Sequence, residues 1–145
     1  MKKKYSLLFV TVLTLFLGCQ NSKTPSEKAA WDFVDTYYVR TDPVAALPFT
    51  DRLAYEKVKQ SVDLIQSLAS QPGNETHTRP KVSASLLSSP SENSQDEPFV
   101  FKIIITPYGS QEIRKKVMVR VRSMENKKWK VTQFSDQDVL ENVTH

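Results

Sequence analysis

One cysteine, two histidines and three glycines are all that 145 residues offer of those types, and each scarcity removes a class of chemistry. A single thiol closes no intramolecular disulfide, so the stability of the chain must come from its core. Cys19, His77 and His145 stand too far apart for the ligand spacing of a zinc site, and neither a metal nor any other cofactor is expected. His77 falls in a polar stretch and His145 at the C-terminus, so neither offers a buried general base. There is no glycine-rich phosphate loop and no serine nucleophile motif. The longest apolar run is shorter than the ~20 residues a helix needs to span a bilayer. No internal repeat is visible.

What is present begins with an export signal. Lys2, Lys3 and Lys4 precede the apolar run Leu7 to Leu17, and the small residue Gly18 follows, which assigns residues 1–18 as a signal peptide. Leu15-Phe16-Leu17-Gly18-Cys19 resembles the lipobox of bacterial lipoproteins, with Phe16 where that family prefers leucine. The resemblance implies that Cys19 is diacylated on sulfur, that the leader is cut away and that the new amine is acylated. Gln20 after the cysteine is similar to lipoproteins sent to the outer membrane, on its periplasmic side. Two or three chains, at ~0.8 kcal/mol per buried methylene, make an anchor that hardly dissociates. The expectation is an exported domain held at a bacterial membrane but not embedded in it. Loss of Lys2, Lys3 and Lys4 takes the formal charge from +4 to +1, which gives no case for nucleic acid as a partner.

Thr24-Pro25-Ser26-Glu27 has the order of a helix start, with Thr24 as cap, Pro25 at the first position and Glu27 closing a capping box. Residues 19–23 are then a lipidated tether that reaches at most ~18 Å when extended. The first helix is expected from Pro25 to about Arg40, with Ala30, Phe33, Val34, Tyr37 and Tyr38 on its apolar face. Asp32 and Asp35 fall on the solvated face. Asp42-Pro43 starts a short helical piece, Val44 to Leu47, which Pro48 is expected to end. Thr50-Asp51 caps a long helix through Gln71, with Leu53, Val58, Val62, Ile65 and Leu68 as its buried stripe. Pro72-Gly73 stops it, and residues 73–80 and 89–98 read as polar loops.

Strand periodicity dominates the second half. Val82, Ala84 and Leu86 alternate in a first strand, and Phe99, Phe101, Ile103 and Ile105 share one face of a second. Ile113, Val117, Val119 and Val121 share a parity, while Glu112, Arg114, Lys116, Arg120 and Arg122 take the other. A loop centred on Gly109 places Ile105 opposite Ile113, Phe101 opposite Val117 and Phe99 opposite Val119. A second loop, centred on Asn126, pairs Ser123 with Trp129 and Val121 with Val131, and the meander ends near Ser135. On the outer face this register sets Lys102 against Lys116, and directly opposed like charges are unfavourable.

The fold class is therefore α+β: N-terminal helices packed on a curved antiparallel sheet of about four strands, spanning residues 24–138, with residues 139–145 as a tail. Ala30 to Tyr38, then Asp42, then a meander closing on Trp129-Lys130-Val131-Thr132, resembles the cone-shaped nuclear-transport-factor-two-like superfamily, and is similar to small lipoproteins with that or the cystatin-like shape. The resemblance implies a cone. Two candidate surfaces follow. Trp31, Tyr37, Tyr38, Phe99, Phe101 and Trp129 either line a small-molecule pocket or simply fill the core. Lys102, Arg114, Lys116, Arg120 and Arg122 form either a basic contact face or an ordinary solvated strand face, with Glu112 and Glu125 as counterions. No group is placed to be catalytic. The expected role is a non-enzymatic binding or accessory domain that meets its membrane, an envelope protein or another anionic surface. The alternative is a small-ligand carrier, or an enzyme like the isomerases and dehydratases of that superfamily, using the aromatic pocket.

Overall fold

The structure is a computed structural model that describes residues 23–69, 79–91 and 97–139. The expectations on the signal peptide, Cys19, His77, His145 and the tail beyond Val139 lie outside the described residues.

Helix α1, Pro25–Val34, starts where Thr24 predicts: its hydroxyl accepts from the Glu27 backbone N–H at 3.2 Å. Instead of running regularly to Arg40 it widens into a π turn, Asp35–Val39, whose closing N–H on Arg40 reaches back five residues to the Asp35 carbonyl. The wider turn brings consecutive tyrosines onto one side: Tyr37 stacks on Phe33 at 5.4 Å, and Tyr38 meets Tyr37 edge-on at 4.9 Å. Helix α2, Pro43–Ala46, is capped by the Asp42 carboxylate, which accepts from the Ala45 N–H at 2.9 Å. Pro48 does not stop the chain as expected. It sits in a 3-10 turn, Leu47–Phe49, where a residue without an N–H is tolerated early. Nor is Thr50 the next cap, because its hydroxyl donates to the Leu47 carbonyl at 2.8 Å while its backbone bridges Val131.

Helix α3, Arg52–Ala69, carries the largest correction. Ala54, Val58 and Val62 are buried along one line, but Leu53, Ile65 and Leu68 are 70%, 51% and 45% exposed. The helix follows the last strand from the Asp51 N–H on the Val131 carbonyl to the Lys57–Asp136 contact. The strand ends at Asp138, so the last turns of α3 have no sheet beneath them.

Four antiparallel strands, β1 (Lys81–Ser88), β2 (Phe99–Thr106), β3 (Ile113–Ser123) and β4 (Trp129–Asp138), form one open sheet in sequence order. The registers match the turn arithmetic: Phe99 with Val119, Phe101 with Val117, Ile105 with Ile113, Val121 with Val131 and Ser123 with Trp129. Gly109 supports its loop at φ +73°, where a side chain would be strained. β4 runs past Ser135 to Asp138, and Thr132 is an extra residue that shifts its pairing, so Val119 faces Phe134 and Val117 faces Asp136. Phe99, Phe101, Ile103, Val117, Val119, Val131 and Phe134 cover Phe33, Val34, Ala54 and Val58 to make the core. Each large side chain so removed from water contributes ~1.5–3 kcal/mol. Ile113 shares the inner row yet is 44% exposed, because it stands at the open end of the sheet.

Candidate functional site

The outer sheet face is built by the same alternation that builds the core. Lys102 lies directly opposite Lys116, as the register requires, and β4 adds a second like-charge pair, Arg122 opposite Lys130. The other neighbours are neutral: Ser85 beside Lys102, Gln137 beside Lys116, Ile104 beside Arg114 and Gln133 beside Arg120. Among the described residues, no acidic side chain takes a paired position on this face. Glu112, just before β3, holds Arg114 at 2.7 Å. Glu125 lies exposed in the β3–β4 turn. Among the described residues, no carboxylate reaches ion-pair distance of Lys102, Lys116, Arg120, Arg122 or Lys130. Val100, Ile104 and Met118 sit half-buried between these cations. Lys130 was available to sequence reasoning, since pairing Val121 with Val131 already sets it against Arg122.

The aromatic set divides. Phe99 and Phe101 are buried in the core, Trp31 meets Phe101 edge-on at 5.0 Å, and Tyr37 and Tyr38 pack round Phe33 and Phe134. Trp129 stands apart from that cluster, half-buried opposite Ser123. Trp31, Tyr37, Tyr38 and Phe101 thus contact other rings of the core, as core filling requires. A cleft of about 420 Å³ opens elsewhere, between the end of the π turn and α3, against Arg40, Asp42, Val44, Ile65 and Arg79. None of the six aromatics lines it.

A polar cluster that the sequence reading missed closes one end of the core. The Asp136 carboxylate accepts from Lys115 Nζ at 3.2 Å and from the Tyr38 hydroxyl at 3.4 Å, and Lys57 Nζ lies 3.8 Å away. Lys115 also holds Asp138 at 3.0 Å, Lys57 rides over the Phe134 ring at 4.5 Å, and the Tyr37 hydroxyl shares a 3.0 Å hydrogen bond with Ser61. Two ammonium groups and two carboxylates balance, so Asp136 is an occupied acceptor and no free base. Burial pushes the Tyr38 phenol far above its ordinary range, and Asp136 and Tyr37 beside it add to the effect. The Lys115 ammonium is also raised, first by its hydrogen bond to Asp138, with burial opposing. Asp32 and Asp35 face outward as expected, paired with Lys28 at 2.6 Å and Arg40 at 2.7 Å.

These shifts fix the sign of an alkaline effect. Above about pH 10 an unfolded tyrosine loses its proton while folded Tyr38 keeps it, so the native state binds more protons and stability falls as pH rises. Lys115 adds in the same direction above its own unfolded value. Tyr38→Phe should therefore cost less than about 1 kcal/mol at neutral pH, for one long hydrogen bond, and flatten the fall in urea midpoint between about pH 10 and pH 12. An unchanged alkaline slope would show that the Tyr38 phenol is not held neutral.

Among the described residues no helix is long and apolar enough to cross a membrane, and no group of three or more His, Cys, Asp or Glu side chains gathers as a metal site. No protein-family model, curated protein or solved structure matches the chain.

Proposed function

We propose that the chain is a membrane-tethered lipoprotein of the bacterial cell envelope, anchored through Cys19, whose domain is a non-enzymatic binding or accessory module that presents the outer sheet face to an anionic partner. The observation that carries this reading is a face with two directly opposed cationic pairs and, among the described residues, no acidic side chain at a paired position. Such pairs destabilise an isolated sheet, and a hydroxyl or carboxylate at either position would relieve them. A surface that retains them is explained by a ligand that supplies the missing charge, and guanidinium forks suit carboxylates and phosphates. The cone-like shape belongs to the same proposal, supported by helices that cover one side of an open sheet. A small-ligand carrier or an isomerase- or dehydratase-like enzyme is favoured by one observation, the meeting of Tyr38 with Asp136 at the end of the aromatic row. It ranks second because Lys57 and Lys115 already occupy that carboxylate.

Lys116→Glu tests the leading reading by separating stability from binding. Opposite Lys102, the new carboxylate should raise stability by about 0.5–1 kcal/mol, or ~2–5 °C in melting temperature. The same variant should elute from a sulfonate matrix at clearly lower salt than Lys59→Glu, which makes the same charge change on exposed α3. Equal elution of the two variants would remove the outer face from the proposal.

A further inference from the structure

We infer that the outer sheet face lies flat on anionic phospholipid headgroups of the bilayer that holds the Cys19 acyl chains, an inference that rests on the lipoprotein reading above. Three arguments select a lipid plane over other anionic partners. The first is shape. Six cations, Lys102, Arg114, Lys116, Arg120, Arg122 and Lys130, spread over three adjacent strands, with Arg114 shared by Glu112 at 2.7 Å. At ~4.8 Å between strands and ~3.3 Å per residue, the array is about 10 Å wide and ~27 Å long. It offers a broad cationic face, whereas a peptide strand added at the β4 edge would extend the ladder and leave this face uncovered.

The second is composition. Val100, Ile104 and Met118 lie half-buried among the cations, and apolar groups flanked by Lys and Arg suit the boundary between headgroups and acyl chains. Asp32, Asp35, Asp136 and Asp138 are on the helix-covered side of the sheet or at its inner end, and the acids at the margin of the face are Glu112, held on Arg114, and Glu125 in the β3–β4 turn.

The third is reach. A tether of five residues extends at most ~18 Å, and α1 lies one layer, about 10 Å, behind the sheet. The start of α1 therefore stays within reach of the bilayer while the outer face touches it. The acyl chains supply the affinity, and the sheet sets the orientation, turning the helices and the Arg40–Arg79 cleft toward the aqueous side.

The test uses the chain from Gln20 without its lipid. Every buried side chain among the described residues lies between Ala30 and Phe134, so this chain retains the whole core. Cosedimentation is measured with phosphatidylcholine vesicles, with or without about one third phosphatidylglycerol, and with soluble polyaspartate as competitor. Partition should be at least tenfold greater with the anionic vesicles and should fall steeply with salt. Each interfacial cation is worth roughly fivefold, so Lys102→Gln with Lys116→Gln should lose about 25-fold, against about fivefold or less for Lys59→Gln. Equal partition into both vesicle types, with polyaspartate still bound through Lys102 and Lys116, overturns the lipid assignment and leaves the anionic contact face standing. Loss of binding to vesicles and polyaspartate alike overturns both. Anionic-vesicle binding that Lys59→Gln weakens as much as the paired substitution overturns the assignment of the face.

Discussion

Phe101→Asp should abolish the cooperative unfolding transition. The ring is fully buried, lies between Leu86 of β1 and Val117 of β3, and meets Trp31 edge-on. Removing such an aromatic from a core costs ~3–5 kcal/mol. A carboxylate left there without a partner adds a desolvation cost of several kcal/mol more, or must take up a proton. A small domain holds only about 5–15 kcal/mol in total, so the two losses approach the whole. Val119→Lys carries the same argument one pair further along the register, opposite Phe99 and Phe134. The internal control is Arg120→Ala, next in sequence but on the other face, which should change stability by less than about 0.5 kcal/mol. Thermal unfolding followed by circular dichroism decides the matter. A Phe101→Asp protein with near-parental melting would mean that the odd positions of β2 face water.

The contrast between neighbours explains why the sheet was legible in the sequence. Strand faces alternate every residue, so one apolar row and one turn centre fix both the register and the side that is buried. The basic face came with it, because Lys102 and Lys116 are bound to the same register as Phe101 and Val117. Helix α3 was less legible: the spacing shows that apolar residues recur, but not that Ala54 and not Leu53 takes the buried line, nor that the sheet ends before it can cover Ile65 and Leu68. The polar cluster at the inner end was hidden by one inserted residue. Reading parity onward from Val131 puts Gln133 and Ser135 inside and Phe134 outside, whereas the bulge at Thr132 reverses this and turns Phe134 and Asp136 inward. Two signals were present: a phenylalanine at a nominally outward position, and Lys115 interrupting the row from Ile113 to Val117. A cation in an apolar row needs an anion facing it, and Asp136 and Asp138 are that anion.

Cys19→Ala should abolish incorporation of labelled fatty acid and leave the domain either released from the membrane fraction or held as an uncleaved precursor. The expected loss is nearly all-or-none. A single acyl chain binds a bilayer only marginally, whereas two or three, at ~0.8 kcal/mol per buried methylene, hardly dissociate, so under the proposed anchor the loss of Cys19 takes the domain from hardly dissociating to holding no acyl chain. The fold should not respond, because the side chains that make the core run from Ala30 to Phe134. Unfolding of the released domain should match that of the parent. Any membrane association of the Cys19→Ala domain from which the leader has been removed reports on the outer face: it should be salt-sensitive and should vanish when Lys102→Gln and Lys116→Gln are added. Label that persists in Cys19→Ala, or a parental mature protein whose sulfur carries no acyl mass, would overturn the anchor, and with it the reason for bringing the basic face to a bilayer.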